Sequence, residues 1–162
     1  MFVLGIDPGL SRTGYGVIEA SGSVMRPVAA GAINTEPGMA VGDRLVELHR
    51  DLTELVVEYQ PAEAAIEAVF VNKNLQTATT VGRASGIAYL VLAAAGVPVA
   101  EYSPTAVKMA VAGYGNADKN QVQRLVAMRL GLPEAPKPAD AADALAIAMC
   151  HVQSRTLKAV GR

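Results

Sequence analysis

The stretch MFVLGIDPGLSRTGYGVIEA, residues 1–20, decides the fold. Phe2–Ile6 is an almost unbroken apolar run, the pattern of a buried strand. It closes on a carboxylate, Asp7, and Pro8-Gly9 then turns the chain. Thr13–Ala20 reads as a second strand. A Ser21-Gly22-Ser23 turn leads into a third over 24–34, where Pro27 points to a sheet edge or a bulge. Three strands joined by short turns predict an antiparallel meander. After residue 40 the period changes. Leu45, Leu48, Leu52, Leu55 and Val56 recur at three- and four-residue steps, which predicts an amphipathic helix stopped by Pro61. A strand over 62–70, a long apolar helix over 75–95 and a fifth strand over 97–102 follow. Further helices begin at Pro104 behind a Ser103 cap, at Lys119 behind an Asp118 cap, and at Ala139, the last running to Gln153. Strand–helix–strand crossovers make parallel neighbours, so the whole predicts an α/β layered domain with a mixed sheet.

The chain has 162 residues, 51% apolar and 18% charged, enough for one domain with a real core and too apolar for disorder. We expect a single domain over 1–155 and a frayed tail over 156–162. No apolar run reaches the roughly 18 residues a membrane span needs. No basic segment precedes the first apolar stretch, as a secretory signal would require. Cys150 is the one cysteine, which excludes an internal disulfide and a thiolate zinc site. The expectation is a cytoplasmic protein with no membrane partner. The net charge of -1 conceals an uneven distribution: residues 1–70 carry ten acids and four bases, residues 71–130 two acids and six bases. A basic middle segment can hold phosphates, or can simply be a solvated face.

Four acids do not suit their surroundings. Asp7 ends an apolar strand, Glu67 interrupts AAIEAVF, and Asp140 and Asp143 open a helix that is otherwise nearly all apolar. A carboxylate in such a setting must be paired, protonated or bound to a cation. Asp140 and Asp143, three apart, share one helix face. No basic residue lies within four positions of Asp7, Glu67 or Asp143, and Lys137 is three before Asp140. Local ion pairing therefore does not explain the set. Singly, Asp7 could be a turn acid, Glu67 a half-exposed strand residue, and Asp140 a first-turn acid on the helix dipole. Asp143, beside Leu145, Ile147 and Met149, has no such plain role. Together, four carboxylates without histidine or cysteine favour a hard ion, Mg2+ or Mn2+. Two such ions about 4 Å apart can activate water and stabilise the leaving oxygen of a phosphodiester.

With these residues in view, the chain resembles the RuvC family of Holliday junction resolvases. GIDPGLSRTGYGVI resembles the family's opening strand and turn, IEAVFVNKN its second acidic segment, VAGYGNADKNQVQ its basic loop, and DAADALAIAMCH its closing acidic helix. The resemblance runs from Met1 to about Gln153. It implies a ribonuclease-H-like fold with a five-stranded mixed sheet flanked by helices. It also implies a homodimer that nicks two opposing strands of four-way junction DNA, and a branch-migration helicase partner. By matching motif, Asp7, Glu67, Asp140 and Asp143 take the catalytic, metal-binding positions, with two ions per site. Lys119 and Lys108 take basic positions near the scissile phosphate or the backbone, and Phe70 an aromatic position that stacks on an unpaired base. Lys73, Asn74, Arg83 and Arg124 are further candidate DNA contacts. The helix over 75–95 agrees with a dimer, since Val81, Ile87, Ala88, Leu90, Val91 and Leu92 cannot all face one sheet. The residues alone leave three rival functions open. One is a related nuclease of the same fold on another nucleic acid; another is a non-catalytic junction-binding module. A third is an actin-like or sugar-kinase-like ATPase, though no second strand-Asp-x-Gly unit and no GxxxxGK[ST] loop occurs.

Overall fold

The computed structural model describes residues 1–69 and 74–160. Three strands open the chain: β1 (Phe2–Asp7), β2 (Arg12–Ser21) and β3 (Val24–Asn34). Then come helix α1 (Val41–Tyr59), β4 (Glu63–Glu67), α2 (Leu75–Ala94) and β5 (Val99–Tyr102). Helices α3 (Pro104–Ala112), α4 (Lys119–Arg129) and α5 (Ala139–Val160) complete it. The sheet order is β3-β2-β1-β4-β5. The opening meander is antiparallel, whereas β1, β4 and β5 run parallel, joined through α1 and α2. This is the five-stranded mixed sheet that the sequence implies. Pro27 sits where expected, on the edge strand, at a register shift of the β2–β3 ladder.

Alternation along the strands separates two cores. Leu4, Ile6, Val17 and Ile66 point to one face and are covered by α1 and α2, through Leu48, Leu52, Ala88 and Leu92. Val3, Ile18 and Ala65 point to the other, under α3, α4 and α5. Asp7 and Glu67 share the parity of Val3 and Ala65, so alternation sends both to the α5 face.

Helix α5 contacts all five strands. Residues 141–152 are buried almost all round, with Asp143 as the half-buried exception, which explains why this helix is apolar on every side. It can lie this low because the strands beneath it carry glycine. A Cβ on Gly5 would collide with the Ala144 carbonyl, and one on Gly14 with the Asp140 carbonyl.

Several element ends differ from expectation. β4 is confined to Glu63–Glu67 and β5 to Val99–Tyr102, each limited to its stretch of paired ladder. Helix α5 continues past Gln153 to Val160. Arg155 Nε lies 2.9 Å from Glu63 Oε1, and the Thr156 hydroxyl donates to the Val152 carbonyl, so polar contacts carry the helix beyond its apolar stretch. On α2, Ala88, Val91 and Leu92 are buried against the sheet and α1, and Leu90 is the one of the six apolar residues named above that is exposed, at 56%. Among the described residues no helix is long and apolar enough to cross a membrane.

The glycine seat gives a direct test. Gly5→Ala is expected to destabilise the fold by about 1–3 kcal/mol, as overpacking does. Gly42→Ala, on an exposed turn of α1 with nothing within 4 Å of the added carbon, is expected to be neutral or to stabilise by about 0.4–1 kcal/mol. Urea unfolding checks both; equal effects would contradict the packing account.

Candidate active site

Parallel pairing of β1 with β4 sets Ile6 beside Ile66, so the next residues, Asp7 and Glu67, leave the same edge of the sheet together. The first turn of α5 crosses that edge and brings Asp140 and Asp143. Asp7, Glu67 and Asp143 line one cavity of about 390 Å3, together with Lys108 of α3 and Lys119 of α4. Residues as far apart in sequence as Asp7 and Asp143 thus meet in one place.

The electrostatics follow from the crowding. Withdrawal from water, then the charges of Glu67, Asp143 and Asp140, push the Asp7 carboxyl from 3.8 up to about 7, against the opposing pull of Lys119. Glu67 is raised as well, chiefly by desolvation and then by Asp143, with Lys119 and Lys108 pulling it down. Lys119 Nζ lies 2.6 Å from Asp143 Oδ2, and this contact raises the lysine's own pKa. Gln123 Nε2 donates to Asp143 Oδ1 at 3.3 Å. Asp140 Oδ2 faces Arg12 Nη1 at 3.5 Å, while Lys137 lies nearer Glu134, at 3.9 Å. Two of the four acids therefore do have basic partners, supplied by the fold from far along the chain.

Among the described residues no three histidine, cysteine, aspartate or glutamate side chains converge as a ready-made ligand set. Asp7, Glu67 and Asp143 line an open cavity that Asp140 does not reach, and Asp143 is turned onto Lys119. The donor chemistry still fits a hard divalent cation: every candidate ligand is a carboxylate oxygen, and the neighbouring acids help push the Asp7 and Glu67 carboxyls up, a repulsion that a cation relieves.

The other predicted DNA contacts are scattered. Asn74 caps α2, its Oδ1 accepting from the Thr77 amide at 3.2 Å. Arg83 is exposed on α2, and Arg124 is exposed on α4 with Nε directed at the Asn120 carbonyl; neither lines the acid cavity. Phe70 and Lys73 lie outside the described residues. Two neighbours of the acids escaped the sequence reading. Gln123 is four residues after Lys119 on α4, a spacing that puts both on one helix face. Arg12 opens β2, directly after the turn that follows Asp7.

A mixed five-stranded sheet in this order, with acids gathered at the ends of its two central parallel strands and the start of its last helix, defines a ribonuclease-H-like architecture. Comparison with known proteins narrows this. The family model described as crossover junction endodeoxyribonuclease RuvC matches residues 3–151. A relative from Chloroflexus aggregans with that name is 54% identical over 151 residues, 93% of this chain and 92% of its own length. One from Desulforamulus reducens is 50% identical over 153 residues, 94% of each. The solved structure of T. thermophilus RuvC in complex with Holliday junction substrate superimposes with a TM-score of 0.92 at 36% identity, covering 98% of this chain and 96% of that one. The yeast mitochondrial Holliday junction resolvase, at 18% identity and a TM-score of 0.69 over 97% of this chain and 82% of its own, shares the fold. The chain belongs to the RuvC family of crossover junction endodeoxyribonucleases.

Asp7 supplies a prediction on stability. The folded chain holds the Asp7 proton at pH values where the unfolded chain has released it, so this group weakens the fold progressively as pH rises from about 4 to about 7. Asp7→Asn removes that titration. In chelator at pH 8 the variant is expected to exceed wild type in stability by roughly 2–4 kcal/mol, the difference shrinking towards pH 4. Thermal denaturation across pH measures it; a variant less stable than wild type at pH 8 would contradict the crowding account.

Proposed function

We propose that this chain resolves four-way DNA junctions by hydrolysing phosphodiester bonds in opposing strands, at the cavity formed by Asp7, Glu67, Asp143, Lys108 and Lys119. The observation that supports it is the meeting of three acids and two lysines at one sheet edge in a chain of this family. No comparable observation favours an actin-like or sugar-kinase-like ATPase.

Asp7, Glu67, Asp143 and the neighbouring Asp140 would hold divalent cations, with Mg2+ the first choice for an all-carboxylate set. Bound there, such ions lower the pKa of an attacking water and stabilise the departing oxygen. The rest is the work of the chain's own groups. Lys119 and Lys108 present positive charge to the phosphate from α4 and α3, and Lys119 can offset charge that builds on the phosphoryl oxygens. Gln123 and Lys119 fix the Asp143 carboxylate in place. The rigid sheet edge does the same for Asp7 and Glu67, so little reorganisation accompanies reaction. Water attacks phosphorus in line, the bond to the 3′ oxygen breaks, and the products are a 5′-phosphate and a 3′-hydroxyl.

A two-fold substrate calls for two such sites. We take the chain to act as a homodimer, with the solvent-facing side of α2, around Arg83, Gly86 and Leu90, as the surface that meets the second copy.

The experiment is cleavage of a synthetic four-way junction by Asp143→Asn. With Mg2+ its rate is expected to fall on the order of a thousandfold, a loss of several kcal/mol of transition-state stabilisation. Binding of the junction in chelator is expected to survive. Undiminished cleavage would remove Asp143 from the catalytic set.

A further inference from the structure

Among the described residues, one charged side chain is buried without an acid. Arg44, in the first turn of α1, is 7% exposed, yet it makes no ion pair among the described residues. Its Nε donates to Thr35 Oγ1 at 2.9 Å and its Nη2 to Ser11 Oγ at 2.7 Å. Burying a guanidinium is costly, and the usual remedy is a carboxylate. Here two hydroxyls stand in its place. The directions of these bonds matter. Thr35 passes its own proton inward, to the Leu10 carbonyl at 2.6 Å. Ser11 Oγ accepts from Arg44 while its residue is exposed, so its proton is free to be donated outward, on a hydroxyl polarised by the cation behind it.

Next to it stands Arg12, exposed, with Nε on the neutral Asn34 Oδ1 at 3.1 Å and Nη1 at 3.5 Å from Asp140. Its Nη2 takes no partner among the described residues. The turn itself is held firm. The Thr13 hydroxyl donates to the Gly9 carbonyl at 2.6 Å, and the Thr35 amide donates to the Ser11 carbonyl at 3.1 Å. The exit of β1 is therefore a rigid turn that offers outward donors, over a fixed positive charge, directly beside Asp7.

We propose that the Pro8–Arg12 turn is a second phosphate seat, in which Arg12 and the Ser11 hydroxyl take a backbone phosphate flanking the one that is cleaved, with Arg44 supplying fixed positive charge from beneath. This rests on the nuclease function given above. The placement agrees. Lys108 belongs to the helix that leaves β5, on one side of the acids, and the turn lies on the other, towards β2 and β3. A strand laid across the acids meets cations at both ends. A phosphodiester suits the turn because it offers two acceptor oxygens and one negative charge to a guanidinium and a hydroxyl.

The test is binding of a dye-labelled four-way junction in chelator, by fluorescence anisotropy over a salt series, so that cleavage plays no part. Arg12→Gln is expected to weaken binding about three- to tenfold at low salt and to reduce the slope of log K against log[salt] by about 1. Ser11→Ala also removes one acceptor of the buried Arg44, so its folding is first checked by thermal denaturation; the folded variant is expected to weaken binding about two- to fivefold with the slope unchanged, since it loses a donor and no charge. Wild-type affinity and slope in both variants would overturn the proposal. So would a loss confined to cleavage in Arg12→Gln, which would make that residue a counter-ion for Asp140 alone. Failure of the wild-type chain to bind the junction at all would instead overturn the function on which the seat depends.

Discussion

The close seating of α5 on the backbone of β1 and β2 is the contact on which the rest depends. Gly5 and Gly14 leave no side chain between helix and sheet, so carbonyls of α5 approach the strands where a Cβ would otherwise stand. That proximity does two things at once. It buries a helix that is apolar on every side, the largest single contribution to the core on that face. It also fixes the height and register of the first turn of α5 over the sheet edge where Asp7 and Glu67 emerge. Raised by one side chain, the helix would carry Asp140 and Asp143 away from the other acids. Stability and chemistry therefore draw on the same contact. The polar bonds further along α5 hold its far end: His151 Nε2 lies 2.7 Å from Glu63 Oε2, and His151 Nδ1 lies 3.0 Å from the Tyr102 hydroxyl.

The energy that this packing stores is electrostatic. Three acids crowd one cavity, and the carboxyl of Asp7 responds by holding its proton up to about pH 7. Two basic groups relieve part of the repulsion, Lys119 on Asp143 and Arg12 near Asp140. What remains is a negative field at the edge of a rigid sheet, flanked by cationic side chains. Such a field suits divalent cations and the phosphates they accompany. The uneven charge of the sequence has its spatial meaning here. The acid-rich first part contributes Asp7 and Glu67, and the basic middle contributes Lys108 and Lys119.

Much of this was legible in the sequence, for definite reasons. The strands and helices have clear periods and conventional caps, and Ser103 and Asp118 cap α3 and α4 as their chemistry suggests. The acids were visible because each interrupts an apolar pattern. What escaped was whatever depends on contact between distant segments. Arg12 and Asp140 are 128 residues apart, and nothing local to either pairs them. The glycines of β1 and β2 carry no local signal of their function, which is to leave space for a helix that arrives much later. Nothing local marks Arg44, because burial of a guanidinium under hydroxyls leaves no periodic trace. The apolar excess of α2 suggested more free surface than exists, because α1 lies beside it on the same sheet face and covers part of its circumference.

The central claim is that folding gathers these acids into a cation-dependent centre for cutting branched DNA. Its most direct measurement is incubation of the wild-type chain with a synthetic four-way junction and a matched linear duplex, with Mg2+ and with chelator, followed by ligation of the products. The account predicts paired nicks in opposing strands of the junction, ligatable through their 5′-phosphate and 3′-hydroxyl ends, with Mg2+ alone. Equal cutting of the linear duplex, or cutting that persists in chelator, would contradict it.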